Sequence, residues 1–291
     1  MLEKSAERLT PPEYLKQWIT EANYEVLPTE KALDLINIIP ETNTISVTCR
    51  PTGIEETVHF AEMLGPEKMK RVWPHLAARR IYSQDHFDEV SLRLINAGME
   101  KAFIVGGDGD PSFEDFKKTE DVLNGLLIRG ILPKKIRIGG YPEGNPVMDM
   151  DPIEVLLQKQ EFAEKAGVQM EIVTQMFFDA DTLFNWLMEI RQRGVYLPVE
   201  LGLLGKLKWN SFVKVLETIG IKDAMAFLKS KPKLAMSLAT GMITGFSPRY
   251  LLTELAEKNT PELGINGISI FTLGNITNSV KCLTDIASEN I

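Results

Sequence analysis

The sequence predicts a single (β/α)8 barrel, and three features of the chain point to it. Eight short β-like runs alternate with longer stretches in which apolar residues recur every three or four positions. Strands that alternate with helices pair in parallel. Eight such units in 291 residues match the size of this barrel. A doubly wound open sheet is the alternative that the same alternation allows.

The elements follow one another without a Gly/Ser-rich or Pro-rich linker. The predicted strands lie at 24–26, 44–48, 71–76, 102–105, 135–138, 171–175, 198–203 and 267–272. The clearest helical patterns lie at 55–64, 87–99, 113–127 and 152–167. Residues 204–266 are too many for one helix and predict two or three extra helices before the last strand. We therefore expect an N-terminal arm over residues 1–20 and one barrel domain over 21–291.

Composition limits the class of protein. The chain is 44% hydrophobic and 25% charged, as in ordinary globular domains. Its net charge of −8 disfavours nucleic-acid binding, which needs Lys and Arg against phosphate. No apolar run approaches the roughly 20 residues of a membrane span, and the first residues do not resemble a secretion signal. Two distant cysteines, Cys49 and Cys282, fit a reducing compartment, so we expect a cytoplasmic protein without a membrane partner.

Polar residues collect where the predicted strands end. In a (β/α)8 barrel the active site lies at the C-terminal ends of the strands, so these residues are the candidates for function. They are Glu25, Thr48, His75, Asp108, Tyr141, Glu143, Gln175 and Asn275.

Glu25 and His75 have the clearest chemical potential. A carboxyl group in an apolar barrel mouth would have a raised pKa, which suits a general acid, although an exposed strand-end Glu25 is the alternative. His75 is one of three histidines, the others being His59 and His86, which makes a three-histidine metal site improbable. No metal site is predicted, and a structural role for His75 remains open.

Two further motifs allow a ligand-binding and a structural interpretation. VGGDGDP places Asp108 in a glycine-rich loop that either lets a ligand approach or forms a simple β-turn; it is neither a GxGxxG nor a Walker motif. TQMFFD places Gln175 at a strand end and Asp179 at a helix N-cap position.

Basic and aromatic residues also follow the strands. Arg50, Arg79 and Arg80 could attract an anionic ligand, such as a phosphate or a polyglutamate tail, or be solvated charges. Trp209 is either part of a surface loop or an aromatic lid over a planar ligand.

The ordered motifs resemble the methylenetetrahydrofolate reductase family from about residue 24 to residue 276. In chain order, YEVLP resembles FEFFPP, ISVTC resembles VSVT, PHLAAR resembles PHLTC, VGGDGDP resembles the GGD loop, GGYPEGNP resembles AYPEGHP, TQMFFD resembles TQFFFD, and FTLGN resembles the YTLN strand. Each fragment is weak alone, but the ordered set is specific.

The resemblance implies a flavoprotein oxidoreductase of the EC 1.5.1 type, working in one-carbon metabolism and methionine biosynthesis. FAD would pass hydride from NAD(P)H to 5,10-methylenetetrahydrofolate and give 5-methyltetrahydrofolate. The resemblance leaves open whether the chain forms a homo-oligomer. It implies Glu25 as general acid, Asp108 as a catalytic and pterin-binding residue, Gln175 as a folate-binding residue, and Thr48, His75, Gly107 and Tyr141 as flavin contacts.

Several positions depart from the family pattern. Asn145 replaces a histidine, and the helix that usually carries an LKRK-type basic cluster has only Lys159 and Lys165. Leu201 and Gly205 replace prolines, and Asn275 stands where an arginine is common; we therefore predict that flavin is bound loosely. Two alternatives follow: a flavin-independent tetrahydrofolate enzyme that transfers a methyl or methylene group, and a non-catalytic folate-binding subunit.

Overall fold

The chain forms a closed barrel of eight parallel strands in the order β1 to β8. The computed structural model describes residues 9–144, 150–218, 230–231, 234–235 and 245–289. The strands are β1 Asn23–Val26, β2 Thr44–Val47, β3 Val72–Ala77, β4 Lys101–Val105, β5 Lys135–Gly140, β6 Gln169–Thr174, β7 Val199–Leu204 and β8 Ile265–Phe271. All eight predicted strands are confirmed, and pairing of β1 with β8 excludes the open sheet.

Helices surround the barrel. They are α1 Pro11–Thr20, α2 Glu30–Leu35, α3 Glu55–Met69, α4 Gln84–Asn96, α5 Thr119–Ile128, α6 Pro152–Ala166, α7 Ala180–Gln192, α8 Trp209–Thr218, α9 Arg249–Lys258 and α10 Ile276–Glu289. The helices α8 and α9 lie between β7 and β8, which confirms the extra helices predicted there. Short 3-10 turns occur at Ile36–Ile38, Ala78–Arg80 and Pro261–Leu263.

Local sequence sets the helix ends. Asp179 caps α7, as its spacing predicted, because its carboxylate accepts hydrogen bonds from the amide and the hydroxyl of Thr182. Asp151 caps α6 in the same way, with Pro152 at its first position, and Gly167 ends the helix with φ of +68°.

The predicted N-terminal arm contains an ordered helix. Tyr14, Leu15, Trp18 and Ile19 of α1 are buried in the main hydrophobic core. Asn43 fixes the end of α1, because its side-chain amide donates to the carbonyl oxygens of Ile19 and Thr20.

Successive side chains along each strand point to opposite faces, so one set packs against the helices and the other points into the barrel. Tyr24 and Val26 belong to the apolar core, and their alternates Asn23 and Glu25 lie on the opposite face of β1, toward the barrel axis. The Asn23 amide donates to Ser46 Oγ at 3.0 Å and to Ser269 Oγ at 2.7 Å. Polar side chains therefore lie inside the barrel, in a fold whose centre is commonly packed with branched apolar side chains.

Candidate active site

The C-terminal ends of the strands form one rim of the barrel, and the first six strands each bring a predicted site residue to it. Glu25 and His75 lie within β1 and β3, whereas the others directly follow a strand: Thr48 after β2, Gly107 and Asp108 after β4, Tyr141 after β5 and Gln175 after β6. Parallel pairing of neighbouring strands places these positions around a common mouth.

The structure brings Glu25 and His75 together. Glu25 Oε2 lies 3.8 Å from His75 Nε2, and the two side chains are only 15% and 9% exposed. This distance is too long for a hydrogen bond, and Nε2 has no other hydrogen-bond partner among the described residues.

Both members of this pair favour their neutral forms. Burial raises the pKa of Glu25 to about 8. Burial, together with the positive charge of Arg137, lowers the pKa of His75 to about 3. Near neutral pH the pair is therefore a carboxylic acid facing a neutral imidazole, not a salt bridge.

Neighbouring residues hold this pair in place. The backbone carbonyl of Glu25 accepts a hydrogen bond from Thr272 Oγ1 at 2.7 Å, which ties the end of β1 to the segment after β8. The His75 ring meets Phe103 edge-on, with 4.5 Å between ring centroids. Glu25 is thus a buried, protonated carboxyl group on a braced backbone.

Thr48, Gly107 and Tyr141 are the other predicted cofactor contacts, and their surroundings at the mouth differ. Thr48 Oγ1 is buried and has no hydrogen-bond partner among the described residues. Gly107 has φ of +87°, and a Cβ there would lie 3.2 Å from Ala77 Cβ, so the glycine lets the loop pack on β3. A Cβ atom at Gly139 would lie 3.0 Å from the Tyr141 hydroxyl, so the Tyr141 ring covers the end of its own strand.

The loop that carries Asp108 is fastened by two arginines. Arg79 Nη1 donates to the carbonyl of Gly109 at 2.8 Å, and Arg80 Nη2 donates to that of Asp108 at 2.7 Å. The Asp108 side chain is exposed. Burial raises the pKa of the Cys49 thiol to about 12, and the charges of Arg80 and Asp108 lie near enough to act on it.

Gln175 lies on the exposed surface of the rim. Its backbone N–H donates to the carbonyl of Gly140 at 2.7 Å, and its side-chain oxygen accepts from the N–H of Met176 at 2.9 Å. All three candidate residues are described, yet no hydrogen bond or ion pair joins Asp108, Gln175 and Glu25. The free protein therefore presents separate polar groups around the mouth.

Packed aromatic residues cover the β7 and β8 side of the rim. Leu204 and Phe271, the last residues of these strands, belong to a buried cluster that includes Phe178, Phe212 and Phe246. The Phe212 and Phe246 rings stack with centroids 4.8 Å apart. Trp209 begins α8, and the centroid of its ring lies 5.9 Å from that of Phe212. It is therefore part of a helix and not of a surface loop.

Comparison with known proteins identifies the relatives of this barrel. The family model for methylenetetrahydrofolate reductase matches residues 27–234. The chain belongs to the methylenetetrahydrofolate reductase family. Thr48, His75, Gly107, Asp108, Tyr141 and Gln175 lie within the matched segment, and Glu25 lies two residues before it.

Individual relatives match over shorter segments. Methylenetetrahydrofolate reductase 1 of Schizosaccharomyces pombe is 30% identical over 93 residues, which are 32% of this chain and 15% of the relative. Methylenetetrahydrofolate reductase 2 of Saccharomyces cerevisiae is 29% identical over 122 residues, which are 40% of this chain and 20% of the relative. The aligned segments thus span at most a fifth of either relative.

One solved structure with a similar fold is the dihydropteroate synthase of Yersinia pestis. It is 12% identical with a TM-score of 0.43, and the superposition covers 92% of this chain and 93% of that chain. A likeness at this level carries no information about activity.

The flavin that this family implies fits the described residues only in part. Thr48 Oγ1 and His75 Nε2 are buried polar atoms without partners at the mouth, as a ligand-binding rim would leave them. The two lysines of α6 do not suit a flavin diphosphate. Lys159 is 8% exposed and its Nζ lies 3.4 Å from Glu120, and Lys165 is paired with Glu161 in the last turn of the helix. Asn145 lies outside the described residues.

Sequence reasoning missed a charged cluster inside the barrel. Arg137 bonds Glu171 through Nε at 2.5 Å and Glu200 through Nη2, and its guanidinium lies 4.0 Å from the centroid of the Trp73 ring. Each of these charged residues interrupts an apolar strand, which is the same signal that identified Glu25. Applied to β5, β6 and β7, that signal would have found the cluster.

The described residues hold no group of three or more His, Cys, Asp or Glu side chains placed to bind a metal ion. Within the same part of the chain, every helix is too short or too polar to cross a membrane.

Proposed function

We propose that this protein binds a tetrahydrofolate derivative at the barrel mouth and reduces 5,10-methylenetetrahydrofolate to 5-methyltetrahydrofolate. The observation that carries the proposal is Glu25, a buried carboxyl group that keeps its proton near neutral pH and lies at the rim. Membership of the methylenetetrahydrofolate reductase family supports the substrate class.

The proposed reaction needs a proton before it needs hydride. Glu25 protonates one nitrogen of the five-membered ring, and the bond from that nitrogen to the methylene carbon breaks with its electron pair going to the nitrogen. The methylene carbon is then part of an iminium cation, which is reduced by a hydride that comes from a reduced nicotinamide and that a bound flavin would relay. The ionised Glu25 left behind would stabilise this cation electrostatically.

Asp108 and Gln175 would bind the pterin ring. A carboxylate accepts hydrogen bonds from the amino and N–H groups of a pterin, and an amide both donates and accepts. Both side chains are exposed on the rim in the free protein and are accessible to a ligand. A site of such partners discriminates strongly, because a wrong ligand leaves them unpaired.

A second candidate is a flavin-independent enzyme on the same barrel. The engagement of Lys159 with Glu120 favours it, because the usual diphosphate contacts of the family are not offered by α6. In that case hydride would pass directly from the nicotinamide, or the enzyme would transfer a one-carbon group without net reduction.

One experiment tests the function and separates the candidates. The purified protein is mixed with methylenetetrahydrofolate carrying ¹³C at the methylene carbon and with NADH, with and without FAD, and the products are followed by NMR. A methyl signal that needs FAD supports a flavin-dependent reductase, and one that forms equally without FAD supports direct transfer. Absence of any reaction, together with no calorimetric binding of 5-methyltetrahydrofolate, would reject the folate proposal.

A further inference from the structure

His75 has a geometric relationship with Glu25 that the family resemblance does not explain. The resemblance implies only a flavin contact for His75, yet its Nε2 faces Glu25 Oε2 at 3.8 Å and has no other partner among the described residues. Closing this gap to a hydrogen bond takes a side-chain shift of about 1 Å. Catalytic hydrogen bonds are often long in free enzymes and shorten when substrate binds.

Burial keeps the His75 ring neutral, and a nearby cation adds to the effect. Arg137 on β5 is the cation that acts on the imidazole, and it is itself bound to Glu171 on β6 and Glu200 on β7. The neighbouring position on β4 is Phe103, which is apolar. A neutral imidazole can donate one hydrogen bond without forming the ion pair that would hold Glu25 permanently ionised.

We propose that His75 is a positioning residue for the acid, with Nε2–H directed at Glu25 Oε2 so that Oε1 carries the proton toward the mouth. This inference rests on the proposed function of Glu25. When Oε1–H gives its proton to the substrate nitrogen, a hydrogen bond from the N–H of His75 to Oε2 stabilises the negative charge left on the carboxylate. The imidazole neither gains nor loses a proton, so the step balances within the acid and the substrate.

The test uses the substrate-free protein labelled with ¹⁵N in its three histidines, His59, His75 and His86. The His75 signals are assigned by their loss in His75→Gln. We expect His75 to stay neutral through the neutral range and its Nε2 resonance to shift with a midpoint near pH 8, where Glu25 ionises. Lys101 and Glu200 also have pKa values of about 8, so the part of the shift that Glu25 causes is the part that is lost in Glu25→Gln. A His75 that becomes protonated in this range, or a step of unchanged size in Glu25→Gln, would overturn the proposal.

Paired variants separate positioning from packing. In His75→Phe, which keeps an aromatic ring against Phe103, the carboxyl titration of Glu25 followed by ¹³C NMR should move to higher pH, because its carboxylate has lost a donor. His75→Gln, whose amide can donate, should return the titration toward the wild-type midpoint. Equal titrations in both variants would indicate a packing role and overturn the proposal. These readouts need no folate, so they remain valid if the proposed reaction fails.

Discussion

Arg137 stacks on Trp73 inside the barrel, with its guanidinium carbon 4.0 Å from the centroid of the indole ring. The same guanidinium binds Glu171 and Glu200. The Glu200 pKa is raised to about 8, chiefly by burial, although Arg137 opposes the rise. A charged cluster thus occupies space that apolar side chains usually fill, and it lies close enough to His75 to influence its charge.

Removing Arg137 should destabilise the barrel. Arg137→Met leaves the buried carboxyl group of Glu200 without its hydrogen-bond donor and Glu171 without its cation, and an unsatisfied buried partner costs about 1–3 kcal/mol in the free energy of unfolding. Urea denaturation at neutral pH measures this loss. The double variant Arg137→Met/Glu200→Leu should recover part of it, since no buried carboxyl group is then left without a partner at position 200. A single variant as stable as the wild type would show that Arg137 does not stabilise the cluster.

Burial of Glu25 should make stability depend on pH. Its pKa is about 8 in the folded state, against an ordinary value of 4.5 in the unfolded chain, so the unfolded chain ionises first as the pH rises. The stability contributed by the neutral carboxyl is complete below about pH 4.5 and is lost as the pH approaches 8.

The variant Glu25→Gln removes this dependence. We therefore compare the free energies of unfolding of Glu25→Gln and of the wild type at each pH. The difference in favour of the variant should grow by up to about 1.4 kcal/mol per pH unit between about pH 4.5 and pH 8 and level off above pH 8. Denaturation at a series of pH values checks the slope. A constant difference between the two proteins would mean that Glu25 ionises normally in the folded state.

The alternation of short β-like runs with helical stretches was sufficient to predict the barrel, because strands that alternate with helices pair in parallel. The end of β5 extends to Gly140, beyond the predicted run 135–138, since Gly139 and Gly140 have low strand propensity but pair with Val173 and Thr174. Tertiary pairing overrides local preference at those positions.

The candidate site was less predictable. The polar residues at the predicted strand ends were sufficient to predict that Glu25, His75 and Gln175 lie at one rim. The sequence pattern does not predict that Glu25 Oε2 faces His75 Nε2, because this contact depends on the stagger of β1 against β3. The burial of Lys159 beside Glu120 could not be predicted either, since a lysine in a helical sequence pattern usually indicates an exposed charge.

Loss of the acid should slow the chemical step without abolishing folate binding. Glu25→Gln keeps the shape of the side chain but cannot donate a carboxyl proton, and a positioned general acid is worth about 10²–10⁴ in rate. Steady-state and single-turnover kinetics measure the loss, and calorimetry checks that folate still binds. Glu21→Gln, an exposed position four residues earlier, serves as the matched control. Wild-type turnover in Glu25→Gln would exclude Glu25 as the acid.

Flavin should be lost on extended dialysis. Charge-assisted bonds to phosphate are the strong contacts of such a cofactor, and Lys159 is committed to Glu120. If FAD survives dialysis, Arg79 and Arg80 are the cations to test, because neither has a carboxylate partner among the described residues. Arg79→Gln should then release FAD, whereas Lys165→Gln, at the far end of α6, should not. Tight binding that survives both Arg79→Gln and Arg80→Gln would show that another part of the chain holds the diphosphate.

Gln175 should contribute to folate affinity from its position at the end of β6. Among the described residues its side-chain oxygen accepts only from the neighbouring N–H of Met176, at 2.9 Å, so its amide group can turn to a ligand at low cost. A pterin edge that buries this amide would lose a partner in Gln175→Ala, which weakens binding by about 1–3 kcal/mol.

Gln169 provides the matched control for this substitution. It is an exposed glutamine at the opposite end of the same strand, so Gln169→Ala changes β6 by the same atoms away from the mouth. Calorimetric titration with 5-methyltetrahydrofolate should show weaker binding for Gln175→Ala and unchanged binding for Gln169→Ala. Equal affinities in both variants would mean that the pterin does not reach the end of β6, and the folate site would have to be sought among the other strand ends.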